Sequence, residues 1–292
     1  MSRLGFSKTI LTLKLILQTS SIDCEKTCGI IYLILVIFPL KNMNIKILFQ
    51  GNYSNQNVTC HFNQQSLRKI DPVIEQKAVQ LWQQKIQQAQ EAGKKIWDQP
   101  VYRLDKFHLD RDNCVLDFST IPFSIRTSLK DFTEDLVKKG EDYLPMAVYS
   151  SIFIETTDGV FVFGEKSDEF VANHKYSYIG GVSNQIDGFK GDPNPFVSAS
   201  SEITEELGIE DNDIEEVKLL GGLKTESCNL ALVFYSKLKL NQKEVMKKFK
   251  IGNDLEMENL FFAKKGDLQE VCLHKIGKEA EFFDIFQRSG QQ

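Results

Sequence analysis

Several features that would place a protein in a class at once are missing from this 292-residue chain. It has no long run of lysine or arginine, and its formal net charge is -5, so no surface for nucleic acid or heparin is indicated. Its six cysteines are widely scattered and its four histidines lie near none of the closer cysteine pairs, which argues against a zinc site or a disulfide framework. With 42% hydrophobic residues the chain can nevertheless bury a core, so a globular protein is indicated.

The first 42 residues lack a hydrophobic run of the ~20 residues that a membrane span needs. The apolar stretch from Gly29 to Leu40 is followed by lysine and not by the small residues of a signal-peptide cleavage site. Three interpretations stay open: an extension outside the fold, a membrane or targeting segment, or an artefact of translation upstream of a start at Met43. We expect a cytoplasmic protein, with membrane attachment through residues 1–42 as the alternative.

Periodicity and turn residues predict a chain of mixed strands and helices after Met43. Strands are predicted at 45–50 and 58–62 around one turn, at 147–155 and 160–165 as a hairpin, and at 115–118, 217–224, 230–238 and 260–263. Helices are predicted at 71–92, at 128–139 with Ser128 as the N-cap, at 244–249 and at 277–288. A further helix ends at Gly208, which suits the left-handed C′ position.

The helix that ends at Gly208 carries several glutamates near its C-terminus, where the helix dipole disfavours negative charge. The sequence SEITEELGI places Glu202, Glu205 and Glu206 near the helix C-terminus, and no Lys or Arg occurs between Lys190 and Lys218. On a helix the glutamates share one face and the apolar residues form the neighbouring edge. An exposed acidic helix is the ordinary alternative. The unneutralised carboxylates favour a divalent cation, and clustered carboxylate oxygens suit Mg²⁺, which points to phosphate-ester or pyrophosphate chemistry.

The same residues resemble the second half of the Nudix box, in which an Arg-Glu-aliphatic-x-Glu-Glu-x-Gly-aliphatic helix binds Mg²⁺ under a nucleoside diphosphate. Tyr178-Ile179-Gly180-Gly181 is similar to the glycine pair that ends the strand before the box. The sequence departs from the pattern at Ser201, where the box has arginine, and at Pro193, where the upstream glutamate would be. The resemblance implies an α+β fold of the Nudix type, an α/β/α sandwich with a mixed sheet and an N-terminal α/β extension.

The irregular and lengthened box resembles that of the UDP-glucose pyrophosphatase-like branch, over roughly residues 43 to 286. In that branch the extension carries an aromatic-Asp-x-Pro-x-aromatic-Arg-Leu segment, which here runs from Trp97 to Leu104. The stretch from Ser128 to Phe132 is similar to its Ser-Tyr-Arg-Asp-Phe, although the Gly-Thr-Asn that usually follows is replaced. The resemblance implies substrate contacts from stacking faces and cations, namely Trp97, Tyr102, Arg103 and Lys130; core packing of the aromatic pair is the alternative.

The resemblance also implies a division of the chain and a reaction. Residues 43–143 would form the extension domain packing on the core, and residues 144–292 the hydrolase domain, after the apolar segment 1–42. The cation, Mg²⁺ or in its place Mn²⁺, would be held by Glu202 and Glu206, a carbonyl of Gly180 or Gly181, and Glu256 or Glu258, with Glu205 as the third catalytic carboxylate. UDP-glucose would be hydrolysed to UMP and glucose 1-phosphate.

Other functions remain open at this level. The missing box arginine also fits a catalytically impaired Nudix fold that binds a nucleotide or a protein. Among enzymes, ADP-ribose, dinucleoside polyphosphates and capped RNA compete with the UDP-sugars. We expect a small-molecule nucleotide sugar as the partner and no nucleic acid.

Overall fold

A seven-stranded mixed sheet lies at the centre of the protein. The computed structural model describes residues 46–93, 96–167, 175–183, 193–250, 257–276 and 280–290. Within them the sheet order is β1-β8-β9-β5-β6-β10, with β7 paired to β6. The strands are β1 Lys46–Tyr53, β5 Val148–Glu155, β6 Val160–Lys166, β7 Tyr176–Ser177, β8 Ile214–Lys224, β9 Leu230–Leu238 and β10 Met257–Lys264. Strands β5 and β9 run parallel, whereas the other paired neighbours are antiparallel.

A smaller sheet of three strands, in the order β2-β4-β3, stands beside it. Its strands are β2 Val58–Phe62, β3 Pro100–Asp110 and β4 Asn113–Pro122. The helices are α1 Pro72–Glu91, α2 Phe123–Leu129, α3 Thr133–Lys139, α4 Pro195–Leu207, α5 Gln242–Phe249, α6 Leu268–Glu270 and α7 Ala280–Ser289, with a π-helical stretch over Val271–Ile276. Two main-chain hydrogen bonds join β3 to the large sheet, from Tyr102 N to Ser183 O and from Leu104 N to Met146 O, both of 3.0 Å.

Helices cover both faces of the large sheet, as the predicted α+β sandwich requires. One face buries a cluster that includes Ile152 of β5, Ile203 of α4 and Leu116 of the smaller sheet. The opposite face is rich in aromatic rings and includes Phe153 of β5 and Phe282 of α7. A sheet with apolar side chains on both faces needs such a cover on each side, because either face left in water would lose its hydrophobic stabilisation.

The predicted hairpin of 147–155 and 160–165 is confirmed next to its turn, whereas one predicted helix start was wrong and the strands predicted around the first turn pair elsewhere. Strands 45–50 and 58–62 do not form one hairpin, because β1 pairs with β8 in the large sheet and β2 pairs in parallel with β4 in the small one. Strand β6 pairs with β5 only at their ends. Further along, residues 176–182 lie between the two strands and pair with β5 through isolated bridges such as Ile152 to Ile179. Ser128 is buried inside α2 and does not cap a helix; α2 begins at Phe123.

Residues 44–292 group as one compact unit by their contacts. Strand β1, from the predicted extension, pairs within the large sheet, and the predicted boundary at 143 stays a prediction. The segment 1–42 and the predicted start at Met43 lie outside the described residues. In the described part of the chain, no helix combines the length and the apolar character needed to cross a membrane.

Candidate active site

The acidic helix α4 is built from local signals at both of its ends. Asn194 caps its N-terminus, where the side-chain oxygen accepts hydrogen bonds from Phe196 N at 3.0 Å and Val197 N at 3.4 Å. Pro195 occupies the first helical turn, where no amide donor is required. Gly208 ends the helix in the left-handed conformation, with φ of 63°, as predicted. The helix is therefore fixed in length, and its acids fall in its last two turns.

Helix α4 buries one apolar edge and turns two glutamates toward a glycine pair. Ile203 and Leu207 are fully buried, which confirms the predicted apolar edge. Glu206 is only 4% exposed, and its Oε2 accepts a hydrogen bond from Gly180 N at 3.4 Å. Glu202 is half-buried, and a Cβ atom on Gly181 would overlap its carboxylate. The structure thus brings together four of the predicted residues at one place.

Both glycines lie where neighbouring groups approach closely. Gly180 has φ of 141°, and a Cβ there would overlap the backbone oxygen of Ser150 in β5. Gly181 donates from its N to Ser150 Oγ at 3.4 Å, and its carbonyl accepts from Ser150 N at 2.9 Å. A side chain at Gly180 would push the loop away from the backbone of β5, whereas one at Gly181 would displace the flexible carboxylate of Glu202. The loop is therefore held between the strand and the acidic helix.

Ser150 is a site residue that the sequence reasoning missed. It is 4% exposed and holds both the amide and the carbonyl of Gly181. The available signal was a serine pair, Ser150 and Ser151, inside the otherwise apolar strand 147–155. A buried hydroxyl in such a strand has to find a hydrogen-bond partner, and here the partner is the glycine loop.

The remaining predicted carboxylates are placed differently. Glu205 is exposed on α4, and Glu258 is exposed on β10, while Glu256 lies outside the described residues. Among the described residues no group of three or more His, Cys, Asp or Glu side chains has the arrangement to hold a metal ion. Any cation held here would take protein oxygens from Glu202, Glu206 and the loop backbone. Mg²⁺ accepts such a set, because it commonly uses one or two carboxylates and keeps waters or phosphate oxygens for its other positions.

The predicted substrate-binding residues lie in the smaller sheet and beside α2. Tyr102 is 7% exposed, and its ring centroid lies 6.0 Å from that of Phe118. Arg103 is buried; it forms an ion pair with Asp105 and donates to Leu144 O at 3.4 Å.

Trp97 and Lys130 are more accessible. Trp97 keeps 39% of its surface exposed and meets the ring of Phe123 edge-on at 4.7 Å. Lys130 is exposed in the turn that follows α2. The substrate roles of all four residues stay predictions.

Comparisons with known proteins add a likeness to solved structures. No family model matches the chain, and no match was found among curated proteins. Among its structural neighbours are Nudix hydrolases. A NUDIX hydrolase from Nitrosomonas europaea is 12% identical with a TM-score of 0.30, covering 50% of this chain and 88% of its own. A MutT protein from Methanosarcina mazei Go1 is 16% identical with a TM-score of 0.31, covering 51% and 95%. An Ap4A hydrolase from C. elegans is 14% identical with a TM-score of 0.30, covering 49% and 96%. At such values the likeness assigns no activity to this chain.

Proposed function

We propose that this protein hydrolyses the pyrophosphate bond of a nucleoside diphosphate sugar with the help of Mg²⁺, and that the substrate is UDP-glucose. The observation that carries the proposal is the meeting of Glu202 and Glu206 with the Gly180-Gly181 loop. Two carboxylates on one helix face, set against a loop whose two glycines carry no side chains, provide a set of oxygen donors. Oxygen donors of this kind suit hard divalent cations and the phosphates that these cations bind.

A cation bound here supplies neutralisation of the pyrophosphate charge and polarisation of the attacking water. Glu206 is oriented by the amide of Gly180, and Glu202 lies against Gly181. The carbonyl of Gly180 or of Gly181 would add a further oxygen; that of Gly181 also accepts from Ser150 N. Mn²⁺ would fit the same oxygen set.

The reaction breaks one bond and forms one. The oxygen of water bonds to a phosphorus of the pyrophosphate, the bond to the bridging oxygen breaks, and the proton of the water passes to a glutamate carboxylate. The products are UMP and glucose 1-phosphate. Glu202 and Glu206 would hold the cation, and one of them would accept the proton. Glu205 is a weaker candidate for either role, because it is exposed.

The choice of a UDP-sugar is supported by the segment from Trp97 to Leu104, whose pattern resembles that of the UDP-glucose pyrophosphatase-like branch. This segment runs into β3, and Tyr102 N donates to Ser183 O, two residues beyond Gly181. The extension therefore reaches the same loop that contacts the acidic helix. Trp97, at the start of this segment, keeps 39% of its surface exposed, so a base could stack on it.

The test uses purified residues 43 to 292 with Mg²⁺ and a panel of UDP-glucose, UDP-galactose, ADP-ribose and diadenosine polyphosphate. We expect UMP release from the UDP-sugars, and its loss in Glu206→Gln. The control is Glu270→Gln, which removes an exposed carboxylate from α6 and should keep full activity. Turnover of ADP-ribose or the dinucleoside polyphosphate alone would keep the site and change the substrate. Nucleotide binding without turnover would make the protein a non-catalytic binder.

A further inference from the structure

Three arginines in the described residues are not exposed, and they differ in how their charge is neutralised. Arg68 pairs with Glu75, and Arg103 pairs with Asp105. Arg126 of α2 is half-buried and has no carboxylate within ion-pair distance among the described residues. Its Nε is shielded from solvent and makes no hydrogen bond there. A shielded guanidinium without an acid costs folding stability, so a bound anion is one partner that could offset this cost.

Aromatic rings hold Arg126 in place. Its guanidinium carbon lies 5.4 Å from the ring centroid of Phe123, one helical turn away. Phe123 in turn contacts Trp97 at 4.7 Å and the buried Trp82 at 6.3 Å between ring centroids. A cation over a ring gains electrostatic attraction but is not neutralised by it. The guanidinium is thus pre-positioned and keeps its charge for an anion.

The position of α2 connects Arg126 with the glycine loop. Phe123 N donates to Gln99 O at 3.0 Å and Ser124 N to Asp98 Oδ1 at 2.8 Å, so α2 is anchored on the segment that leads into β3. On the other side, Tyr149 of β5 forms a bridge with Val182, the residue after Gly181. Burial lowers the pKa of Arg126 from its ordinary value, and nearby Tyr149 acts against that shift. Arg126 is therefore attached through α2 to the segment that leads into β3, the strand that Tyr102 N joins to the loop at Ser183.

We propose that Arg126 binds a phosphate group of the ligand, with its guanidinium held over Phe123 and its donors directed to phosphate oxygens. The fork of N–H donors on arginine matches phosphate geometry, and such charge-assisted bonds are among the strongest that side chains make. The identification of that phosphate as part of a nucleotide rests on the proposed function. The presence of an anion site does not.

The experiment measures binding of inorganic phosphate, UMP and uridine to the wild type, Arg126→Gln, Arg126→Lys and the control Arg288→Gln. Arg288 is exposed on α7. Its replacement therefore removes one positive charge from a helix other than α2. We expect Arg126→Gln to weaken UMP and phosphate about tenfold and to leave uridine unchanged. The phosphate affinity of Arg126→Lys should lie between those of the wild type and Arg126→Gln, because lysine keeps the positive charge but lacks the forked donors of arginine.

Stability separates a ligand-binding arginine from a structural one. Since Arg126 has no acid partner to leave unpaired, Arg126→Gln should melt at the same temperature as the wild type or higher. A marked fall in melting temperature would make Arg126 a packing residue and would overturn the proposal. Unchanged UMP and phosphate affinity, or an equal loss for uridine, would overturn it as well.

Kinetics distinguish this inference from the proposed function. If UDP-glucose is turned over, Arg126→Gln should raise KM while kcat changes little, because the contact is made before the reaction begins. If the wild type turns over nothing but Arg126→Gln loses phosphate binding, the anion site stands and the hydrolase proposal fails. If turnover is normal in every Arg126 variant, the hydrolase stands and this inference fails.

Discussion

Helices α1 and α4 begin in the same way and serve different purposes. Each starts with an Asx residue as the N-cap followed by proline: Asp71 accepts from the amides of Val73 and Ile74, and Asn194 caps α4 in the same manner. Beyond the first turn they diverge. Only 3 of the 20 residues of α1 are buried, whereas 7 of the 13 residues of α4 are.

Each helix also carries one shielded glutamate, and the partners of these two glutamates differ. Glu75 of α1 forms an ion pair with Arg68, while Glu206 of α4 accepts from the backbone amide of Gly180. A carboxylate paired with a guanidinium supports the structure, because the guanidinium neutralises its charge. Glu206 instead lies beside the glycine loop, where the proposed function places a cation. The two acids thus differ in their surroundings, a guanidinium for Glu75 and a glycine backbone for Glu206.

The largest expected effects come from replacing each of the two glutamates by glutamine. Glu75→Gln leaves Arg68, whose side chain is 7% exposed, without its partner, so the free energy of unfolding should fall by about 3 kcal/mol. Glu206→Gln should lower kcat/KM for UDP-glucose at least about 100-fold with a much smaller change in stability. Urea unfolding followed by tryptophan fluorescence, together with UMP release, measures both. If Glu206→Gln keeps its activity, the distinction between the two acids is wrong.

A smaller effect is expected at the glycines that adjoin the two helices. In Gly181→Ala the new methyl group meets the flexible end of Glu202, so the carboxylate should move while the fold is kept. We expect kcat/KM to fall between about 10- and 100-fold, since displaced catalytic groups lose rate steeply. Gly93→Ala, after α1, is the matched control: its φ of 67° makes alanine strained by about 1 kcal/mol, and activity should not change. A loss of activity in both variants would point to general destabilisation.

The two N-caps provide a third test. Asn194→Ala should lower the free energy of unfolding by about 1 kcal/mol, because the amides of Phe196 and Val197 lose their acceptor. It should also reduce turnover, since α4 carries both glutamates. Asp71→Ala should destabilise α1 and leave turnover per folded molecule unchanged. Thermal melts and initial rates on the same samples check this, with Asn194→Asp as the variant that keeps the cap.

The smallest effect is a pH dependence that separates the two caps. A hydrogen bond from Lys139, and then the amide of Ile74, lower the pKa of Asp71 below its ordinary value. A lowered folded-state pKa gives stability that is full above the unfolded value, about 3.9, and is lost as pH falls through the folded value. The stability difference between wild type and Asp71→Asn should therefore shrink below about pH 4. The effect of Asn194→Ala should be equal at pH 6 and pH 3, because that cap does not titrate.

Local patterns predicted most elements of the chain. The strands at 217–224 and 230–238 and the helix that ends at Gly208 were found because their signals lie in adjacent residues. Strand β3 was missed, since Pro100 and the charged residues after it hide the alternation, and β4 supplies the pairing that makes it a strand. The start of α2 was missed for a similar reason: Asp98, 26 residues upstream of Ser124, accepts the hydrogen bond at its start.

The sequence alone determined the glycine end of α4, its apolar edge and the excess of carboxylates near its end, because each depends on residues within a turn or two of one another. Only the tertiary structure decided which glutamates meet the glycine loop. Glu202 and Glu206 are one turn apart and face Gly180 and Gly181, whereas Glu205 lies on the exposed side, since Ile203 and Leu207 fix the rotation of the helix against the sheet. The partner of Ser150, Gly181, is 31 residues away, so no local pattern could reveal it.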